Sequence, residues 1–182
     1  DVQLFSEAQF QGRFAEQPDD SHPVPEPLDP SMRTEWSPVW SLRDKRFKYL
    51  PTGLLYFFYG GFHTDSNGCA AGNTREEAIV QGFLELIERD AYAIWWYNRL
   101  SRPAVDLNSF QDSHIRRCLA TYSQMGRQLW VLDLTNDFGI PVFAAVSRRC
   151  DETPEEITLG FGAHFDPRVA LVRAVSEMNQ FL

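Results

Sequence analysis

The chain has 182 residues, 43% hydrophobic and 14% aromatic, which is enough for a compact domain with a sizeable core and excludes disorder throughout. Its net charge of -8 argues against a surface built for nucleic acid or an anionic membrane, because neutralising phosphates takes clustered Lys and Arg. Cys69, Cys118 and Cys150 form no CxxC pair and His22, His63, His114 and His164 are isolated, so neither a disulfide framework nor a zinc site is expected.

No run approaches the roughly 18 to 20 apolar residues of a membrane span, and no signal-peptide pattern opens the chain, which reads as cytoplasmic. Residues 1–35 read as an N-terminal extension or linker: from Gln17 to Pro38 the text is dense in proline and acids and has no apolar periodicity. Residues 36–182 read as one domain. "TGLLYFFYGGF" suggests a buried strand ended by Gly60 and Gly61. The loop "SNGCAAGNT" follows, then a helix from Arg75 to Tyr97, opened by a capping box of Thr74 and Glu77. Beyond Pro103, "SFQDSHIRRCLATYSQMG" predicts a shorter helix closed by Gly126. "QLWVLDL" and "IPVFAAVS" predict a hairpin, "DETPEE" a solvated loop and "ITLGFGAHF" a further strand. Asp166 and Pro167 fit the N-cap and first position of a last helix. Interleaved strands and helices with a hairpin give an α+β (mixed α/β) fold. The chain opens without methionine and ends at Leu182 inside a helical pattern, so it is expected to be a piece of a longer protein.

Two polar stripes carry the functional question. At about 100° per residue, Gln81, Glu85, Glu88 and Tyr92 share one half of the first long helix, with Arg89 at its edge, while Ala78, Ile79, Gly82, Phe83, Leu86, Ile87 and Ile94 occupy the other. One reading is a solvated face with a Glu85–Arg89 pair at i,i+4, which contributes only ~0.3–0.5 kcal/mol. The last helix repeats the mixture in Arg173, Ser176, Glu177 and Gln180. If the stripes face each other, Glu85, Glu88 and Glu177 could hold magnesium while Arg89 and Arg173 neutralise phosphate oxygens. Gly68 and Gly72 permit a loop whose N–H groups cradle an anion, with Ser66 and Asn67 as side-chain donors, but the GK[ST] ending of a P-loop is missing. Close packing of small residues explains the loop equally, and the same explanation serves Cys69. Asp90 reads as a partnered structural carboxylate, and Trp95, Trp96 and Tyr97 as core or interface aromatics.

"SNGCAAGNTREEAIVQGFLELIERDA" and "GFGAHFDPRVALVRAVSEMNQ", with "WSPVWSLRDKRFKYLPTGLLYFFY" before them, resemble the YcaO family from Trp36 to Leu182, most of all its cyclodehydratase branch from thiazole/oxazole-modified peptide pathways. The resemblance implies an ATP and Mg2+ site unrelated to the P-loop. Its SxxExxER signature is matched by "GFLELIER", which carries over Glu85, Glu88 and Arg89 but has Gly82 at the serine. Its SxxExxQ signature is matched by "AVSEMNQ", which carries over Glu177 and Gln180 but has Ala174 at the serine. Glu85, Glu88 and Glu177 are the implied metal residues; Arg89 and Gln180, with Ser66 and Asn67 of the loop, are implied nucleotide contacts. The family's ExxxR signature and proline-rich C-terminus have no counterpart, which implies a partial domain holding part of the ATP site and little turnover by this stretch alone.

The implied activity is ATP-dependent formation of thiazoline or oxazoline rings from Cys, Ser or Thr of a ribosomally made precursor peptide. A leader-binding domain or partner protein is an implied partner and a homodimer a candidate assembly; nucleic acid and membrane are not partners. Thioamide or amidine formation at the same ATP site, and a non-catalytic peptide-binding scaffold, stand as alternatives.

Overall fold

The computed structural model describes residues 6–11, 29, 31, 33–59 and 64–182. The chain divides into two compact units, Asp1–Ser66 and Asn67–Leu182. Most of the linker segment read from Gln17 to Pro38 lies outside the described residues.

In the first unit a short helix, α1 (Glu7–Gln11), precedes a hairpin of β1 (Trp36–Ser41) and β2 (Arg46–Pro51). The antiparallel register sets Pro38 opposite Tyr49 and Trp40 opposite Phe47, so strand alternation gathers these residues with Trp36 on one aromatic face. Trp40 meets Phe47 edge-on, their ring centroids 5.1 Å apart. The strand expected over "TGLLYFFYGGF" is not formed. Thr52–Leu54 makes a single 3-10 turn, residues 55–59 continue as turns and bends, and Tyr56, Phe57 and Phe58 are exposed. Aromatic content marks a segment that could be a strand, but a strand needs a partner with free ladder groups. Here the chain turns away after Pro51, where the Thr52 N–H closes onto the Glu35 carbonyl, and residues 55–59 pair with no strand among the described residues. Gly60, Gly61 and Phe62 lie outside the described residues.

The second unit opens with the first long helix, α2 (Arg75–Tyr97), over the expected span. Thr74 Oγ1 accepts the Glu77 N–H at 3.1 Å. The returning bond differs from a standard capping box: Glu77 reaches one residue further back and takes the Asn73 N–H at 2.8 Å. The second helix, α3 (Ser113–Gln124), is capped by Asp112 and followed by Gly126 at φ +67°, a conformation that suits glycine at a helix end. The expected hairpin is β3 (Arg127–Asp133) with β4 (Val142–Arg149), and β5 (Thr158–Ala163) extends it to an antiparallel sheet in the order β3-β4-β5. The last helix, α4 (Pro167–Met178), begins at Pro167 behind Asp166, which accepts the Arg168 N–H at 2.8 Å.

Strand alternation sorts the core into two layers. Leu129, Val131, Phe143 and Ala145 face α3 and α4, while Ala144, Phe161 and Ala163 face Ile87 and Ala91 of α2. Along β5, Gly160 and Gly162 take the α4 side, and a Cβ on Gly162 would stand 2.6 Å from the Ala174 nitrogen. The bare strand lets α4 settle directly on its backbone. The result is the α+β arrangement, with helices on both faces of an antiparallel sheet. Among the described residues, no helix is long and apolar enough to cross a membrane.

Candidate functional site

Since β4 fills only one side of β5, the other edge presents backbone groups that no strand among the described residues receives. Helices α2 and α4, from opposite faces of the sheet, both bring polar side chains to that edge. Glu88 Oε2 accepts the Ala163 N–H at 2.9 Å, and the Phe161 N–H hydrogen-bonds to the Glu177 carboxylate. Arg173 donates to the Ala163 carbonyl at 3.3 Å and to Gln81 Oε1 at 2.6 Å. The two polar stripes therefore meet across one edge strand.

This orientation overturns the solvated-face reading of α2. Its buried contacts are Gly82, Leu84, Ile87 and Ala91, and the polar stripe flanks that inner surface. Much of the apolar half is instead exposed: Ile79, Val80, Phe83, Leu86 and Ile94 all reach solvent. The polar residues turn inward because the β5 edge and Arg173 supply the hydrogen-bond partners that burial demands.

The loop before α2 is fastened to the same stripe. Glu85 accepts the Gly68 N–H and also pairs with Arg89, whose Nε lies 2.7 Å from Oε1. Gly68 adopts φ +76°, and Gly82 leaves room beneath it; a Cβ at position 82 would stand 2.7 Å from the Gly68 carbonyl oxygen. Between loop and helices lies a cleft of about 210 Å3, lined by Cys69, Ala70, Gln81, Glu85, Glu88 and Arg173.

The electrostatics are those of a site short of positive charge. Burial, reinforced by the charge of Glu177, pushes Glu88 up to about 7, although Arg89 and the Ala163 N–H pull it down. Burial also raises Glu177. The hydrogen bond that Arg89 donates to Glu85, helped by the nearby carboxylate charges, raises Arg89. Arg173 differs: both of its acceptors, Gln81 and the Ala163 carbonyl, are neutral.

The remaining candidates fall as follows. Ser66 ends the first unit and Asn67 opens the second, both exposed. Gln180 is exposed on a 3-10 turn, Asn179–Phe181, because α4 ends at Met178 and the helical register that aligned Gln180 with Glu177 ends with it. Among the described residues, no three His, Cys, Asp or Glu side chains form a group able to hold a metal by themselves. Glu85, Glu88 and Glu177 are electrostatic neighbours, each occupied by a protein donor, rather than a ready-made cage.

Residues 1–182 match the family described as YcaO cyclodehydratase, ATP- and Mg2+-binding. The chain belongs to the YcaO family. A solved heterocyclase in complex with substrate and cofactor is 49% identical, with a TM-score of 0.87 over 96% of this chain and 25% of that one. The YcaO protein of Methanopyrus kandleri bound with AMPPCP and Mg2+ is 29% identical, with a TM-score of 0.70 over 87% of this chain and 45% of that one. An uncharacterized protein of Methanothermobacter thermautotrophicus is 32% identical over 168 residues, which are 86% of this chain and 43% of the relative. This YcaO chain thus spans less than half the length of each.

Residue types alone did not disclose all of this candidate site in the YcaO chain. The backbone of Phe161 and Ala163, which orders both carboxylates, carries no side-chain signal, although the glycine alternation in "LGFGAHF" does mark a strand face that admits a helix. Asp90 is partnered, accepting from Asn136 Nδ2 at 2.9 Å, yet it is exposed rather than buried on an apolar side. Trp95 packs near Phe161, whereas Trp96 and Tyr97 are exposed.

Proposed function

We propose that this chain is the nucleotide-facing part of an ATP-dependent cyclodehydratase, which forms thiazoline or oxazoline rings from Cys, Ser or Thr of a ribosomally made precursor peptide. The observation that carries the reading is the crowding of Glu88 and Glu177 at the β5 edge, with Glu88 pushed up to about 7, beside Arg89 and Arg173. Carboxylates held this way favour a cation, and the flanking guanidiniums favour phosphate.

The donors fit the cofactor. Magnesium takes hard oxygen ligands and is usually held by one or two carboxylates together with substrate phosphates, not by an all-protein cage. Glu88 and Glu177 would hold it, with Glu85 as the third carboxylate. When bound, the ion neutralises phosphate charge that would otherwise be repelled by these glutamates. Arg173 and Arg89 bind phosphate oxygens; Asn67 and Gln180 are the further nucleotide contacts that the family resemblance implies within this unit.

In the reaction, a substrate thiol or hydroxyl attacks the preceding backbone carbonyl carbon, and its proton is lost. The carbonyl oxygen then takes the γ-phosphoryl group of ATP, releasing ADP. The attack has already closed the ring; the C–O bond to the phosphorylated oxygen then breaks with its electron pair leaving on phosphate, while the amide nitrogen loses its proton and the C=N bond forms. Arginines placed around the transferring group stabilise charge as it develops. A leader-binding domain or partner protein delivers the peptide, and the reaction takes place in the cytoplasm, where ATP is supplied and thiols stay reduced.

Mass spectrometry of precursor peptide incubated with the full-length protein, ATP, Mg2+ and its partners tests this. Loss of one water per modified residue is the expected result. Exchange of oxygen for sulfur would instead assign thioamide formation to the site, and an unchanged peptide would overturn the catalytic reading. Thiol chemistry checks the nucleotide site separately. Cys69 is exposed at the cleft and Cys150 is exposed after β4, both as free thiols. At ATP·Mg2+ a hundredfold above its Kd, alkylation of Cys69 should slow by about 100-fold by occupancy, while Cys150 keeps its rate.

A further inference from the structure

Resting on the nucleotide reading, we infer that Gln81 is a positioning residue that aims Arg173 into the cleft and keeps its charge available for phosphate. Gln81 sits one helical turn before Glu85 on the inward stripe, and its Oε1 takes an Arg173 N–H at 2.6 Å. This bond ties α2 to α4, helices that pack on opposite faces of the sheet. The Ala163 carbonyl takes a second Arg173 nitrogen, so two of its donor nitrogens are fixed while the side chain lines the cleft.

The nature of the acceptor matters as much as its place. Glu88 is bonded to the N–H of the same Ala163 whose carbonyl receives Arg173, so a carboxylate stands next to the guanidinium's anchoring point. Left to itself, a flexible arginine in such surroundings swings to the carboxylate, and the two charges cancel. Gln81 offers an equally good hydrogen bond with no charge. It holds the guanidinium away from Glu88 and leaves the cation uncompensated, the state in which an anionic ligand gains most from meeting it. A glutamate at position 81 would hold the same geometry and remove this advantage.

The test is a double-mutant cycle on the full-length enzyme, with affinity for ATP·Mg2+ measured by calorimetry. Gln81→Leu is expected to weaken binding about tenfold, the scale of one charge-assisted hydrogen bond. Gln81→Glu, which keeps the acceptor and the fold, is expected to weaken it at least as much. In an Arg173→Met background, Gln81→Leu should add nothing, because the residue it positions is gone. Unchanged affinity in Gln81→Glu, or a full additional loss in the double variant, would overturn the inference while leaving the nucleotide site intact. Failure of the unaltered enzyme to bind ATP·Mg2+ would overturn both the inference and the reading on which it rests.

Discussion

Glu88→Gln is expected to lower ring formation by the full-length enzyme by about a thousandfold, the scale seen when a site loses one charged group that acts on the transition state. It is also expected to make the metal-free protein more stable at neutral pH. The two effects have one origin. Glu88 is buried beside Glu177 and its folded-state value is raised to about 7 from an ordinary 4.5, so the native state holds the proton more tightly than the unfolded chain does. Stability is therefore highest below the unfolded value, declines as pH rises through the interval, and levels off above about 7. The ionised carboxylate costs about 2–3 kcal/mol at the alkaline end. Glutamine can accept the Ala163 N–H without that charge. In urea denaturation of metal-free protein, the variant should gain about that much near pH 8, show little difference near pH 4, and lose most of the slope between them. ATP·Mg2+ should then stabilise the parent more than the variant. A residue serving only the fold would lose stability on replacement; gaining it while losing activity marks a group kept for its charge.

Legibility in the sequence tracked the range of the interaction. The start of α2, the end of α3 and the start of α4 were readable because Thr74, Gly126 and the Asp166–Pro167 pair act within a few residues of the ends they fix, whereas the end of α4 at Met178 carried no such local signal. The β3–β4 hairpin was readable because two apolar, β-prone runs flank the turn residues of "TNDFG", neighbours in sequence that pair with each other. "TGLLYFFYGGF" failed because β-propensity cannot say whether a pairing partner exists. The α2 stripe shows the same limit more sharply. Periodicity identified Gln81, Glu85 and Glu88 as one face, but whether that face meets water or protein is decided by Ala163 and Arg173, far along the chain. The family signatures brought Glu85, Glu88, Arg89 and Glu177 into view without the geometry. Gln81 as the anchor of Arg173 lies outside those signatures and appears only once α2 and α4 stand across the edge of β5.

Gly160→Ala is expected to destabilise the protein by about 3 kcal/mol or more, as an overpacked methyl does when the atoms in its way are backbone. A Cβ on Gly160 would stand 2.7 Å from the Met178 Cα, and the Met178 nitrogen and Ala174 carbonyl oxygen are closer still. No rotamer change relieves this, so α4 must move away from β5. The displacement acts on the site as well as on the core. Glu177 and Arg173 ride on α4, whereas Glu88 and Gln81 ride on α2, and the two pairs are brought together by the Phe161 and Ala163 backbone and by the Arg173–Gln81 hydrogen bond, all of which depend on where α4 sits. Nucleotide affinity should therefore fall even at temperatures where the variant is still folded, a result to be read from calorimetric titration alongside a thermal melt. Gly139→Ala supplies the contrast: Gly139 has φ +67° but nothing within 4 Å of the added carbon. It should cost only about 1–2 kcal/mol of backbone strain and leave nucleotide binding unchanged. If both variants lost stability equally and neither altered affinity, the close seating of α4 on β5 would not be what assembles the site.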